Sequence, residues 1–147
     1  MKNFIDLGLP SGRLWADSNV GANAPHESGE YHSWEEWLKS PIINWCSKSA
    51  ILELMEECTW TWTTQNEVNG FTVTGQNGNS IFIPASGYKY QNTLYKFGES
   101  TELWICFRDG GNQCMSLWSD EDHDPRTGYN SEYYALPIRE VIYKEEE

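Results

Sequence analysis

The sequence has few basic residues: 10 Lys and Arg stand against 22 Asp and Glu, for a formal net charge of −12. Proteins that bind nucleic acid need a basic surface that neutralises phosphates, so this balance argues against a nucleic-acid ligand. A mimic of DNA would concentrate its acids, yet here they are scattered and only Glu145 to Glu147 forms a block.

Long apolar runs are also missing, and no segment reaches the roughly 20 apolar residues of a membrane-spanning helix. The first residues, MKNFIDLGLPSG, lack the apolar core of a secretory signal. We therefore expect no membrane insertion, and the sequence leaves the compartment open.

Metal-binding and catalytic motifs are absent as well. The four cysteines form no CxxC pair and have no histidine at ligand spacing, so we expect no structural zinc site. They allow three full disulfide pairings, but free thiols are the simpler interpretation without a secretory signal: Cys46, Cys58, Cys106 and Cys114. No G-x-S-x-G, H-E-x-x-H or P-loop pattern occurs, so we expect no cofactor and no enzyme.

Large rings are abundant, with eight Trp and eight Tyr in 147 residues. Such rings serve cores and binding faces. The length fits one domain over residues 1–147.

Two helices are predicted from their caps. Ser33 stands three residues before Glu36, which is capping-box spacing, and Pro41 ends the segment. We expect the buried side of this helix to carry Trp34, Trp37 and Leu38. Ser47 is the expected N-cap of a longer helix whose apolar residues recur at helical spacing: Ile51, Leu54, Met55 and Cys58.

The period then changes to two in CTWTWTT, where Trp60 and Trp62 share one face of an extended segment. These rings could form a platform for a sugar or pack into the core. Burial of a large side chain is worth roughly 1.5–3 kcal/mol, which favours the core.

Further strands are expected around turn signals at Asn69-Gly70, at Asn77-Gly78 and at Asp109 to Asn112. A last strand is expected over Tyr134 to Tyr143. The order of elements predicts an α+β protein with short antiparallel strands and one or two helices.

Two blocks resemble a known family. FIDLGLPSGRLWADSNVGANAPHESGEYHSW resembles the pattern DLGLPSGxxWAxxNVGAxxPxxxGxYxxW of the bacterial major paralogous domain (FISUMP) family, and residues 58–90 are similar to a second block of that family. The resemblance implies a C-type-lectin-like fold, related to sulfatase-modifying-factor domains and to variable proteins diversified by retroelements. Relatives of this kind are often exported or attached to the surface.

Residues 105–134 depart from the family pattern. Relatives diversified by retroelements vary their ligand-contacting residues in the corresponding region, so this departure is what a reprogrammed binding face on a fixed scaffold would look like. Neutral divergence of surface loops explains it equally well.

Two chemical alternatives lie in the same region. The acids and histidine of residues 120–124 offer oxygen ligands for calcium, but their spacing favours a solvated loop. Cys106 and Cys114 could face each other across a hairpin, and they are similar to the paired cysteines of formylglycine-generating enzymes, although packed thiols fit the non-catalytic branch better.

We therefore expect a non-enzymatic module that binds a protein or glycan, and the resemblance makes it a candidate target of a diversity-generating retroelement. The alternative is a structural or self-associating subunit without a ligand. Because Tyr, Trp and Arg dominate binding energy at interfaces, the expected contacts lie in the C-terminal region: Trp104, Phe107, Arg108, Asp109, Asn112, Met115, Trp118, Asp120, His123, Arg126, Tyr129, Asn130 and Tyr133.

Overall fold

A computed structural model describes residues 3–108 and 113–143. These residues form eleven strands and two helices. In chain order they are β1 (Phe4–Asp6), β2 (Arg13–Ala16), α1 (Trp34–Lys39), α2 (Lys48–Glu57), β3 (Thr59–Gln65), β4 (Val68–Thr74), β5 (Ser80–Pro84), β6 (Tyr88–Tyr90), β7 (Thr93–Tyr95), β8 (Ser100–Arg108), β9 (Gln113–Asp120), β10 (His123–Ser131) and β11 (Val141–Tyr143).

The strands make small antiparallel sheets, which together with two helices are compatible with the predicted α+β class. Their orders are β1-β2-β11, β3-β4-β5, β8-β9-β10 and the two-stranded β6-β7. Neither helix of the described residues is long and apolar enough to span a bilayer.

Both helices begin where the caps predict. Ser33 accepts a hydrogen bond from the Glu36 backbone N–H while the Glu36 carboxylate accepts one from the Ser33 N–H, and Ser47 caps α2 through the Ala50 N–H. Trp34 and Trp37 are buried, but the expectation for Leu38 is wrong, since it is 51% exposed. Helix α1 is too short to bury a third large residue on its inner side.

The meander β3-β4-β5 confirms the alternating pattern, with one turn displaced. Gly70 lies inside β4, where a Cβ atom would come 2.4 Å from the Ile83 carbonyl oxygen. The β3-β4 turn instead uses Asn66 and Glu67, which both have positive φ. The turn at Asn77-Gly78 forms as expected.

Trp60 and Trp62 pack edge-on against Phe71, with ring centroids 5.6 and 5.2 Å apart. Both are partly buried against the main hydrophobic cluster, and Trp60 Nε1 donates a hydrogen bond to the Leu54 carbonyl oxygen at 3.1 Å. They join strand β3 to helix α2, which fits the core interpretation.

In the C-terminal region the structure differs from the sequence predictions at two strands. The strand predicted over residues 134–143 is reduced to β11, because residues before it make only isolated bridges, such as Leu136 with His32. Conversely, β10 is a strand that the sequence did not predict; it begins at His123, inside the acidic stretch of residues 120–124, and pairs along β9 from Arg126 to Ser131.

Arg139 is fully buried and fastens three segments together. Its guanidinium donates to Asn19 Oδ1 at 2.8 Å, to the Ala16 carbonyl oxygen at 2.9 Å and to the Phe82 carbonyl oxygen at 2.8 Å. A planar fork of donors suits acceptors that lie in different directions. The last part of the chain is therefore tied to β2 and β5.

Residues 105–134 are not only a binding face on a separate scaffold, because part of this region belongs to the core. Strands β8 and β9 bring three of its residues into the main cluster, next to Leu103: Ile105, Met115 and Leu117. Trp104 and Cys114 enter a second cluster beside Trp34 and Trp37. Strand β9 is central in its sheet and covered on both faces, so only β10 of this region is largely exposed.

Candidate functional site

The register of the β8-β9-β10 sheet gathers polar and aromatic side chains on one face. Glu102 stands opposite Trp118, which stands opposite Arg126. Residues directly opposite in antiparallel strands project from the same face. With a period of two, Asn130 joins that face and Tyr129 points away from it.

A hairpin stands against this face. Strands β6 and β7 form it, and backbone hydrogen bonds of 2.9 and 2.8 Å between Lys89 and Ala135 hold it beside the segment that follows β10. Between hairpin and sheet lies a cleft of about 300 Å³, which we call the aromatic cleft. Its lining is Tyr88, Lys96, Glu99, Ser100, Glu102, Trp118, Asp120, Asn130 and Tyr134.

Tyrosines form one wall of the cleft. Tyr88 stacks on Tyr134 with centroids 4.6 Å apart and on Tyr95 at 5.4 Å, while Tyr90 meets Tyr134 edge-on at 5.6 Å. Desolvation, followed by the neighbouring Tyr134, Glu102 and Tyr95, raises the pKa of Tyr88. Its hydroxyl therefore stays neutral and can donate a hydrogen bond.

Glu102 lies within the cleft lining and is only 4% exposed. Ser100 Oγ donates to its Oε2 at 2.9 Å, and Asn130 Nδ2 donates to its Oε1 at 3.3 Å and to Ser116 Oγ at 2.8 Å. Burial raises the pKa of the Glu102 carboxyl, and these two hydrogen bonds oppose the rise without cancelling it. The site thus holds a poorly solvated carboxylate between neutral donors.

On the side of the cleft formed by the sheet, the aromatic ring is that of Trp118. The Arg126 guanidinium lies 4.9 Å from its ring centroid and the His123 ring 5.2 Å. His123 Nδ1 is 2.7 Å from Asp120 Oδ1. Desolvation works to raise the pKa of Asp120, but hydrogen bonds from His123 and from the Asp122 backbone lower it. The acidic stretch of residues 120–124 is thus ordered around Trp118.

Five predicted contact residues come together here. Trp118, Asp120 and Asn130 line the cleft, and Arg126 and His123 contact Trp118.

Two predicted contacts are wrong. Trp104 has no exposed surface, and Nε1 of its ring donates to the His32 carbonyl oxygen at 2.9 Å. Met115 is 4% exposed within the main cluster. Both lie on strands that the core needs, so a surface ligand does not reach them.

The remaining candidates lie elsewhere. Arg108 forms ion pairs with Glu35 and, at 2.6 Å, with Glu132, and the exposed Phe107 ring lies 5.4 Å from Lys48 Nζ. Tyr133 lines a second cleft of about 360 Å³ with Tyr31, His32, Lys89 and other residues. Tyr129 is exposed on the opposite side of the sheet from Trp118. Asp109 and Asn112 lie outside the described residues.

Sequence reasoning missed Tyr88, Tyr134, Glu102, Lys96, Glu99 and Ser100 as lining residues. One signal was present, since tyrosines crowd the short segment GYKYQNTLY at residues 87–95. Alternation in a hairpin would place Tyr88 and Tyr95 on one face, as the register confirms.

None of the four cysteines, all of which lie within the described residues, forms a disulfide in the structure. Cys114 is buried and stands opposite Arg108 in the β8-β9 register, so it does not face Cys106. Desolvation raises the pKa of the Cys106 thiol, the opposite of what an activated nucleophile needs. Within residues 3–108 and 113–143, no group of three or more His, Cys, Asp or Glu could hold a metal ion.

Comparison of the chain with protein-family models, curated proteins and solved structures finds no match.

Proposed function

We propose that the chain is a non-enzymatic binding module of C-type-lectin-like fold whose ligand, a protein or a glycan, is contacted at the aromatic cleft. The observation that carries the proposal is the meeting of Trp118, Tyr88 and Tyr134 with Glu102 and Asn130 in one cleft. Binding sites typically combine aromatic walls with a few placed polar groups. The lectin-like fold is supported by the resemblance of residues 5–34 and 58–90, with which the small antiparallel sheets are compatible.

Binding screens against a glycan array and a protein pull-down test the proposal when run with matched variants. Trp118→Ala removes a cleft ring, and Tyr129→Ala removes a ring from the opposite face of the same sheet. We expect Trp118→Ala to weaken binding of a captured ligand more than about tenfold and Tyr129→Ala to change it little. Equal losses would mean that binding depends on both faces of the sheet rather than on the cleft.

A second candidate, a self-associating subunit without a ligand, is favoured by exposed large side chains on the β6-β7 hairpin and just after it. Four large side chains are exposed there: Tyr90, Leu94, Tyr95 and Phe97. Grouped exposed apolar residues mark interaction surfaces. Light scattering over a range of concentrations should report a dimer or larger species, and Leu94→Ser with Phe97→Ser should return it to a monomer. A wild-type monomer at all concentrations excludes this candidate.

The link to retroelement diversification is also a proposal. The neighbouring DNA tests it: a reverse transcriptase gene and a near-copy of the sequence that encodes β9 and β10 would support active diversification. We expect the copy to differ mainly at codons of β10, because β9 is covered on both faces while β10 is largely exposed. Absence of both genetic elements would leave the binding module without a diversifying system.

A further inference from the structure

We infer that the aromatic cleft binds an organic cation, the ammonium or guanidinium group of a lysine or arginine side chain carried by a protein ligand. The inference rests on the proposed function and names the chemical class of the group that enters the cleft. It stands on three independent features of the described residues: the rings, the carboxylates and the overall charge.

The rings provide faces that attract cations. A cation within about 6 Å of a Trp or Tyr ring centroid is stabilised by the negative face of the ring. The chain itself uses this interaction twice nearby, since Arg126 lies 4.9 Å from the Trp118 centroid and Lys89 Nζ lies 4.7 Å from that of Tyr31. Arg126 is not among the lining residues of the cleft, although it lies on the same face of the sheet as Trp118.

The carboxylates provide a counter-charge. Glu99, Glu102 and Asp120 line the cleft against a single ammonium, that of Lys96. The hydrogen bonds to Glu102 come from Ser100 and Asn130, which are neutral donors. A buried carboxylate is costly without an opposite charge, so a cation that enters the cleft relieves an existing penalty.

Other ligand groups fit less well. An anion would meet three carboxylates, and the net charge of −12 repels it at longer range. A neutral sugar could stack on the tyrosines but would leave the charge of Glu102 unbalanced. A basic ligand, in contrast, is attracted by the negative charge of the whole chain and supplies the positive charge that balances the carboxylates of the cleft.

Nuclear magnetic resonance titration of the full chain tests the inference with small probes. Nα-acetyl-arginine amide and Nα-acetyl-lysine amide carry the cations, Nα-acetyl-norleucine amide is the neutral match, and glucose represents a neutral sugar. We expect saturable shifts of the Trp118 indole and the Asn130 side-chain amide with the cationic probes, and binding of the neutral probes weaker by about tenfold or more.

Variants separate charge from ring. Glu102→Gln keeps the size of the side chain and should weaken the cationic probes at least about tenfold, while the exposed Glu56→Gln on α2 should leave them unchanged. Tyr134→Phe should bind normally, whereas Tyr134→Leu, which lacks the ring, should bind weakly. Thermal unfolding of each variant checks that it is folded, and Glu102→Gln remains informative if Tyr134→Leu is not.

Three results would overturn the inference: no saturable shift with either cation, equal binding of norleucine amide, or undiminished binding to Glu102→Gln. Its failure is distinguishable from failure of the proposed function. If a captured protein or glycan still depends on Trp118 but the cationic probes do not compete with it, the binding module stands and the cation is wrong. If binding of every captured ligand is unaffected by Trp118→Ala, both the proposed function and the cation inference are wrong.

Discussion

Strands β9 and β10 are neighbours in one sheet, yet they have opposite relations to the core. Strand β9 is buried along nearly all of its described length, and its Leu117 and Met115 belong to the main cluster. Strand β10 lies at the edge of the sheet, and none of its nine described residues is buried: four are exposed and five are partly exposed. Within residues 105–134 the two strands therefore differ in how much change they tolerate: β10 is at the edge, and β9 is constrained by packing.

The largest difference in stability is expected between variants of two arginines, the buried Arg139 and Arg126 on β10. Arg139→Met leaves three buried acceptors unpaired, including the Ala16 and Phe82 carbonyl oxygens. We expect a loss of about 3–5 kcal/mol in the free energy of unfolding, since each buried acceptor left without a donor costs about 1–3 kcal/mol. Arg126→Met should lose less than about 1 kcal/mol, because Arg126 is exposed. Urea unfolding measures both, and similar losses would erase the distinction.

Cross-strand partners on β9 and β10 sharpen the comparison next. Met115 stands opposite Tyr129, and their exposures are 4% and 44%. Met115→Ala should cost about 2–5 kcal/mol through lost burial and a cavity. Tyr129→Ala should shift the thermal midpoint only slightly. A large loss from Tyr129→Ala would mean that β10 also belongs to the core.

Glu102 should have a smaller effect on the free energy of unfolding, and this effect depends on pH. Its pKa is raised by burial, so folding makes the charged form of this carboxyl less favourable than it is in the unfolded chain. A raised pKa stabilises the folded state below the unfolded pKa, and this contribution is lost as pH rises through the folded pKa. Compared with Glu102→Gln, the wild-type chain should therefore become relatively less stable as pH rises from acid to neutral.

Chemical denaturation at a series of pH values measures this difference. The other titratable residues of the cleft are present in both proteins, so subtraction isolates Glu102: Tyr88, Lys96, Glu99, Asp120 and Tyr134. The raised pKa would be contradicted if the free energy of unfolding of the wild type, relative to that of Glu102→Gln, stayed constant with pH. It would also be contradicted if that difference shifted in favour of the wild type as pH rises towards neutral.

The smallest change in stability is expected at Gly128 of β10, and Gly70 of β4 serves as its comparison. A Cβ atom at Gly128 meets nothing within 4 Å, while one at Gly70 would come within 2.4 Å of the Ile83 carbonyl oxygen. Gly128→Thr should stabilise the chain by up to about 1 kcal/mol through better strand propensity. Gly70→Thr should destabilise it clearly. Destabilisation by Gly128→Thr would indicate that the edge strand is more crowded than its contacts imply.

The sequence predicted elements wherever local chemistry decides the structure. The caps at Ser33 and Ser47 fixed both helix starts, and alternation identified the meander. It failed for β10, because HDPRTGYNS contains Pro, Gly and Asp, which strands disfavour. That segment becomes a strand because β9 offers it an edge to pair with, which is a tertiary cause.

The cleft shows the same limit. Trp118, Asp120 and Asn130 could be selected by residue type from one divergent region. Their partners could not, since Tyr88 arrives from a hairpin about thirty residues earlier and Tyr134 from the segment after β10. The bridge between Lys89 and Ala135 lies directly beside the two stacked tyrosines.

Arg139 follows every residue of β10 in chain order, and its guanidinium joins β2 to β5. A chain emerging from the ribosome therefore completes β10 before it possesses the side chain that joins β2 to β5. A product truncated after β10 would lack that junction and be more open to proteolysis than the full chain.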